Sequence, residues 1–84
     1  MYDITSLKGL KAACGIIISD VSHHGTIRII ERGIPLEVLK KLIQSAPIIY
    51  PDRSPFRICQ QMDNWKLVID KTTGDIVTVI DLDN

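Results

Sequence analysis

The chain has 84 residues, with ten basic and ten acidic side chains and no net charge when histidine is neutral. That length holds one domain and not two, and the balanced charge speaks against a non-specific nucleic-acid binder with a basic footprint, though not against a local positive cleft. Hydrophobic residues at 45% and charged residues at 24% fit a globular core with a wet surface, and no apolar run approaches the roughly 18 residues of a membrane span.

The start lacks the basic segment and apolar stretch of a secretory signal peptide, and Met1 can equally head a domain excised from a longer chain. Residues 5–14 (TSLKGLKAAC) read as a short helix, capped by Thr5 or Ser6, weakened by Gly9 and stopped at Gly15. Residues 16–18 are an apolar run that is either a short strand or helix-end packing. A second helix begins at Ser22 and runs to about residue 32, with Ile27, Ile30 and Ile29 as its apolar face and Gly33 as its stop. Pro35 opens a third helix, where its missing N–H costs little. That helix runs to about Ser45, with Leu36, Val38, Leu39, Leu42 and Ile43 as its apolar stripe and Lys40, Lys41 and Gln44 toward solvent. Pro47 ends it.

The period then changes from helical to alternating. Residues 48–50 read as a short strand, 51–55 (PDRSP) as a loop, and 56–62, 65–70 and 75–82 as three strands. Asp63 and Asn64 suit a two-residue hairpin turn, and residues 71–74 (KTTG) a four-residue loop. The expected fold is α+β, with helices over residues 5–45 packed on a small antiparallel sheet of about four strands over 48–82, all in one domain spanning 1–84. Asp81, Asp83 and Asn84 read as a solvated tail.

Those turns imply a register. Met62 faces Trp65, Gln60 faces Leu67 and Ile58 faces Ile69; on the second hairpin Trp65 faces Ile80, Leu67 faces Thr78 and Ile69 faces Ile76. A slip of one residue would invert the faces. On this register Gln60 and Thr78 flank Leu67 on the face best suited to receive the helices. They are a satisfied buried pair, a sheet-edge position or the floor of a cleft. Arg57, Gln61, Lys66 and Asp70 share the other face with Cys59, Val68, Val77 and Val79. Cys14 and Cys59 lack metal-ligand spacing and are either two free thiols or a disulfide.

The densest chemistry lies in residues 22–34 (SHHGTIRIIERGI). On a helix, His24, Arg28 and either Glu31 or Arg32 fall along one side, one turn apart. Imidazole titrates near neutral pH and can move a proton, while guanidinium stays charged and holds phosphate with two donors. The same residues also suit a solvated face with local ion pairs. His23 and His24 lack a third ligand at metal-site spacing, so no metal is expected. No Gly-rich phosphate loop, nucleophile elbow or zinc-protease motif is present, and no cofactor is expected.

Residues 22–34 resemble the S-x-H-A-x-x-R-x-x-E-R-G-I signature of a small bacterial domain family. That family is similar to the BrnT and RelE toxins and to the barnase–EndoU–colicin–RelE ribonuclease fold. Ser22, His24, Arg28, Glu31, Arg32, Gly33 and Ile34 match, and Gly25 stands where the family commonly has alanine. Residues 65–80 look like its closing hairpin, so the likeness covers roughly residues 20–82. It implies a metal-independent endoribonuclease toxin that cleaves RNA, most plausibly tRNA, to a 2′,3′-cyclic phosphate. It also implies a cognate immunity or antitoxin protein and action in the bacterial cytoplasm, with delivery at the end of a secreted toxin. Carried over by position, His24 would be the acid or base, Arg28 the phosphate ligand and Thr78 a hydrogen-bond donor. Arg32, Lys66, Arg57 and Gln60 would contact substrate. The competing reading is a non-enzymatic protein-interaction module.

Overall fold

The computed structural model describes residues 4–83; Met1 and Asn84 lie outside them. The class is α+β, with two helices and a five-stranded mixed sheet where about four antiparallel strands were expected. The additional strand, β1 (Asp20–Val21), pairs in parallel with β5 (Asp75–Asp81) through Asp20–Asp75 and Val21–Ile76. Between them in sequence come α1 (His23–Arg32), α2 (Leu36–Ser45), β2 (Ile48–Pro51), β3 (Arg57–Met62) and β4 (Trp65–Asp70). The sheet order is β1-β5-β4-β3-β2.

The helix expected over residues 5–14 does not form. Only a 3-10 turn at Ile4–Leu7 is helical, and the chain then doubles back in a tight loop bridged at Lys11 and Ile17. The loop is closed by Gly9 N–H to Ile18 C=O (2.8 Å) and Ile18 N–H to Leu10 C=O (2.9 Å). Gly9 takes a φ of 86°, a left-handed conformation that no α-helix contains and that glycine adopts without steric cost.

The other two helices start and stop where their boundary residues direct. Ser22 caps α1, its Oγ accepting from Gly25 N–H (2.9 Å), and Gly33 closes it with a left-handed φ of 64°. Its buried side is Gly25 and Ile29. Ile27 and Ile30, expected on the apolar face, point outward at 40% and 61% exposure. Pro35 N-caps α2 through its carbonyl, and Leu39, Leu42 and Ile43 are fully buried under that helix.

The first hairpin has the expected register, from Arg57–Asp70 to Met62–Trp65, with Asp63 at a φ of 54° in the turn. The second begins as expected, at Ile69–Ile76, and then slips. Val77 is an extra residue, so Thr78 pairs with Val68, Val79 with Leu67, Lys66 with Ile80 and Trp65 with Asp81. This is a β-bulge. Its cause is α1: Ser22 N–H takes the Ile76 carbonyl (2.9 Å) and Ser22 Oγ takes the Val77 carbonyl (2.8 Å), so two successive carbonyls turn to the same edge. The bulge brings Val79 into the core, fully buried beside Leu67. It carries Thr78 and Ile80 to the opposite face, where Lys66 and Val68 stand.

At the other edge, β2 is flanked by prolines. Asp52 N–H bonds to the Arg57 carbonyl (3.4 Å), so by strand alternation Ile48 and Tyr50 also aim their backbone groups at β3. Ile49 and Pro51 aim theirs outward, and Pro51, like Pro47 ahead of the strand, has no N–H to offer.

Candidate functional site

Strand β1 covers β5 only at Asp75 and Ile76. Beyond that point the edge of β5 has no strand neighbour among the described residues, and α1 lies along it instead. The approach is close because residue 25 is glycine: a Cβ there would stand 3.0 Å from the Ile76 carbonyl oxygen and 3.1 Å from that of Val77. An alanine here would crowd this backbone.

Held this way, α1 presents the stripe next to its buried one to the β5 edge. The two walls enclose a cleft of about 210 Å³ lined by His24, Arg28 and Arg32 on one side and Thr78, Val79 and Ile80 on the other. Arg28 Nε points at His24 Nε2 across 3.5 Å, and Arg28 Nη1 lies 3.4 Å from Glu31 Oε2. Arg32 makes no hydrogen bond or ion pair among the described residues, and its Nε is closed off from solvent. Such a buried unsatisfied donor costs on the order of 1–3 kcal/mol. Thr78 is half-buried and its hydroxyl has no protein partner among the described residues.

No family model, curated protein or solved structure matches the chain. The chemistry of the cleft therefore has to be argued from the cleft itself. Of two guanidiniums at i and i+4 only Arg28 meets a carboxylate, that of Glu31, so this corner is positive in a chain with no net charge. Its volume falls below the roughly 300–1,000 Å³ of pockets that enclose whole small molecules. It fits one anionic group of a ligand whose remainder lies outside. No Phe, Tyr or Trp ring lines it, so the planar groups it offers a base are the His24 imidazole and the two guanidiniums.

Of the residues singled out by sequence, the structure brings His24, Arg28, Arg32 and Thr78 together and leaves three elsewhere. Gln60 is neither a cleft floor nor open to a ligand. It is fully buried, its Nε2 donates to the Leu42 and Ile43 carbonyls (2.9 and 2.8 Å), and its Oε1 accepts from Cys14 N–H (2.9 Å). Lys66 does share a face with Thr78, contrary to the expected register. Its ammonium, however, leans away, 5.7 Å from the centroid of the Tyr50 ring on β2. Arg57 is exposed at the start of β3, across from Asp70 and two strands from the cleft. Val79 and Ile80 were missed as cleft residues because the register ignored the bulge. Glu31, expected as the alternative to Arg32 on the side of His24 and Arg28, is the partner of Arg28 and does not line the cleft.

The rest of the molecule offers less. Cys14 and Cys59 are both free. Cys14 meets Gln60 on the helix side of the sheet, and Cys59, the next residue along β3, faces the other way. Burial, followed by the neighbouring Asp52 carboxylate, pushes the Cys59 thiol up despite the nearby Lys66, which makes it a poor nucleophile. Among the described residues no group of three or more His, Cys, Asp or Glu side chains is placed to hold a metal, and no helix is long and apolar enough to cross a membrane.

Proposed function

We propose that the α1–β5 cleft binds the scissile phosphodiester of RNA and that the protein is a metal-independent endoribonuclease of the toxin type. The observation that carries this reading is the convergence of an imidazole, two guanidiniums and a hydroxyl on one small cleft. The resemblance of residues 22–34 to the toxin-like signature points the same way, and makes tRNA the substrate of choice.

RNA carries its own nucleophile. His24 Nε2 takes the proton of the ribose 2′-hydroxyl. The 2′-oxygen bonds to phosphorus, the bond to the 5′-oxygen breaks, and that oxygen takes a proton from solvent, to which His24 is open. A 2′,3′-cyclic phosphate and a 5′-hydroxyl result. Arg28, Arg32 and Thr78 hold the phosphoryl oxygens as charge builds on them. In this reading the domain acts in the cytoplasm of a bacterial cell, and a cognate immunity or antitoxin protein covers the cleft.

The test is incubation of the purified protein with total RNA in excess EDTA, beside folded His24→Ala and Arg28→Ala proteins. Discrete fragments with cyclic phosphate ends from the wild type alone support the reading. Equal cleavage by His24→Ala would remove His24 from the mechanism. A second reading, a protein-interaction module, is favoured by the exposed Ile27 and Ile30 on the solvent side of α1. Intact RNA from the folded wild type would shift the assignment to it.

A further inference from the structure

The cleft admits one anionic group, so a polymer seated in it has to leave by an open side. On one side stands the outer surface of α1, where exposed Ile27 and Ile30 offer nothing to a phosphate. On the other, Thr78 and Ile80 belong both to the cleft wall and to the sheet face that α2 does not cover. Across that face Thr78, Val68, Cys59 and Tyr50 pair in turn from β5 to β2, and Lys66 faces Ile80 in the row beside them. At about 4.8 Å per strand, Lys66 stands one strand from the cleft wall and Tyr50 roughly 14 Å from Thr78.

Lys66 makes no ion pair among the described residues. Its ammonium stands 5.7 Å from the centroid of the Tyr50 ring, near the outer limit of a cation–π contact. The Asp52 carboxylate, which feels the Lys66 charge, is already held by the Arg53 and Ser54 amides and the Cys59 thiol. Tyr50 belongs to an edge strand yet leans inward, its hydroxyl reaching Gln61 Oε1 on β3 at 3.4 Å.

We propose that Tyr50 and Lys66 form a second subsite, a platform for the single-stranded RNA that flanks the scissile phosphate. The proposal rests on the RNA reading of the cleft. Lysine is a point charge on a flexible stem, and a cation–π contact at an exposed site holds it only weakly. A phosphate next to the one in the cleft, lying over β4, draws the ammonium off the ring. The vacated ring face then takes a base, by the stacking that holds single strands with little regard to sequence. A duplex keeps its base faces stacked inside, so the platform selects unpaired segments such as loops. Grip through one ring and one ammonium also suits a chain with no net charge, which has no broad basic footprint to offer.

The experiment is a fluorescence-anisotropy titration of the whole protein with a short labelled 2′-O-methyl RNA strand, which has no free 2′-hydroxyl and so stays intact, beside the same strand annealed to its complement. The single strand should bind ~10-fold more tightly than the duplex, and Tyr50→Leu should lose that margin, as expected for the stacking of one base. Tyr50→Phe, which keeps the ring, should bind within about 2-fold of wild type. Lys66→Gln should reduce the slope of log affinity against log salt by about 0.7, the share of one phosphate on a single strand. In the wild type the Tyr50 ring-proton resonances should move upfield at saturation, a readout that needs no variant and so survives a misfolded Tyr50→Leu. No saturable binding, unmoved Tyr50 resonances, or equal binding of strand and duplex overturns the platform. An unchanged salt slope in Lys66→Gln removes Lys66 from it. RNA cut by a wild type whose Tyr50 resonances do not move leaves the nuclease reading and removes the platform. A strand held on Tyr50 with RNA left intact does the reverse.

Discussion

Two helices of ten residues each pack against the sheet, and their seams are opposites. The α2 seam is closed. The last carbonyls of that helix lack partners within it, and no glycine follows to turn them inward; Ala46 stands at the C-cap. Gln60 reaches from β3 to take the carbonyls of Leu42 and Ile43, while its own oxygen ties down Cys14 N–H. One buried amide thus caps a helix and anchors the N-terminal loop. The α1 seam is open. There the helix touches β5 closely at Gly25 and separates from it along His24, Arg28 and Arg32, where an arginine donor is left without a partner. At one seam a fully buried amide holds the structure together; at the other, half-buried Arg32 has a shielded Nε with no protein acceptor among the described residues. What separates them is whether an acceptor is built in.

If that contrast is sound, stability should respond to the closed seam and function to the open one. The largest loss is expected for Gln60→Leu, which strands Cys14 N–H and the Leu42 carbonyl: about 3 kcal/mol in urea unfolding, at 1–3 kcal/mol for each orphaned group. A loss under about 1 kcal/mol would mean that water or a shift of α2 replaces the amide. Next comes Ser22→Ala, which removes a cap and also the hydroxyl that fixes the bulge, with an expected cost of about 1–2 kcal/mol. Its sharper readout is the amide shifts of residues 77–80, which should move if Ser22 sets the register.

Gly25→Ala should cost about 1 kcal/mol, since overpacking of 1–3 kcal/mol is partly offset by the better helix propensity of alanine. The methyl group would push α1 off β5 and widen the cleft, so phosphate affinity should fall along with stability. A smaller effect is expected in acid. Burial pushes the Asp52 carboxyl up, but hydrogen bonds from the Arg53 and Ser54 amides and the Cys59 thiol, with the charge of Lys66, hold it below its ordinary value. Asp70 is held down mainly by the Thr72 hydroxyl and amide. A carboxylate whose folded value is depressed stabilises the fold above its unfolded value and loses that contribution as pH falls through the folded one. The thermal midpoint should therefore hold steady above about pH 5 and decline as pH falls below the ordinary carboxyl value of 3.8, and Asp70→Asn should flatten the decline. The smallest change belongs to His24→Ala, within about 0.5 kcal/mol for an exposed side chain. A large loss there would place His24 among the structural residues and dissolve the contrast.

Much of this architecture is legible along the chain because its signals are local. Ser22 and Gly33 bracket α1, Pro35 and Pro47 bracket α2, and Asp63 and Gly74 mark the two hairpins. The failures have non-local causes. The register past Ile76 depends on Ser22, which is 55 residues from Val77 in sequence, and no residue of β5 announces it. The role of Gln60 depends on a helix end 17 and 18 residues away; in the strand it is only a polar residue among apolar ones. The first segment was misread for the opposite reason. Gly9 was treated as a weakness in a helix, although its left-handed backbone makes it the start of a loop. Within the cleft, helical spacing groups His24 and Arg28 and leaves Glu31 or Arg32 as the third member; choosing Arg32 and finding the facing wall require the packing of α1 and the bulge.

The edge strand β2 bears on how the molecule behaves in company. An open sheet margin bearing exposed Ile48 and Ile49 invites other chains to add strands to it, and so to polymerise. With Pro47 and Pro51 on either side, Ile49 is left as the lone outward donor, and one hydrogen bond cannot template a ladder. At this edge, crowding to high local concentration therefore offers no template for strand-by-strand growth.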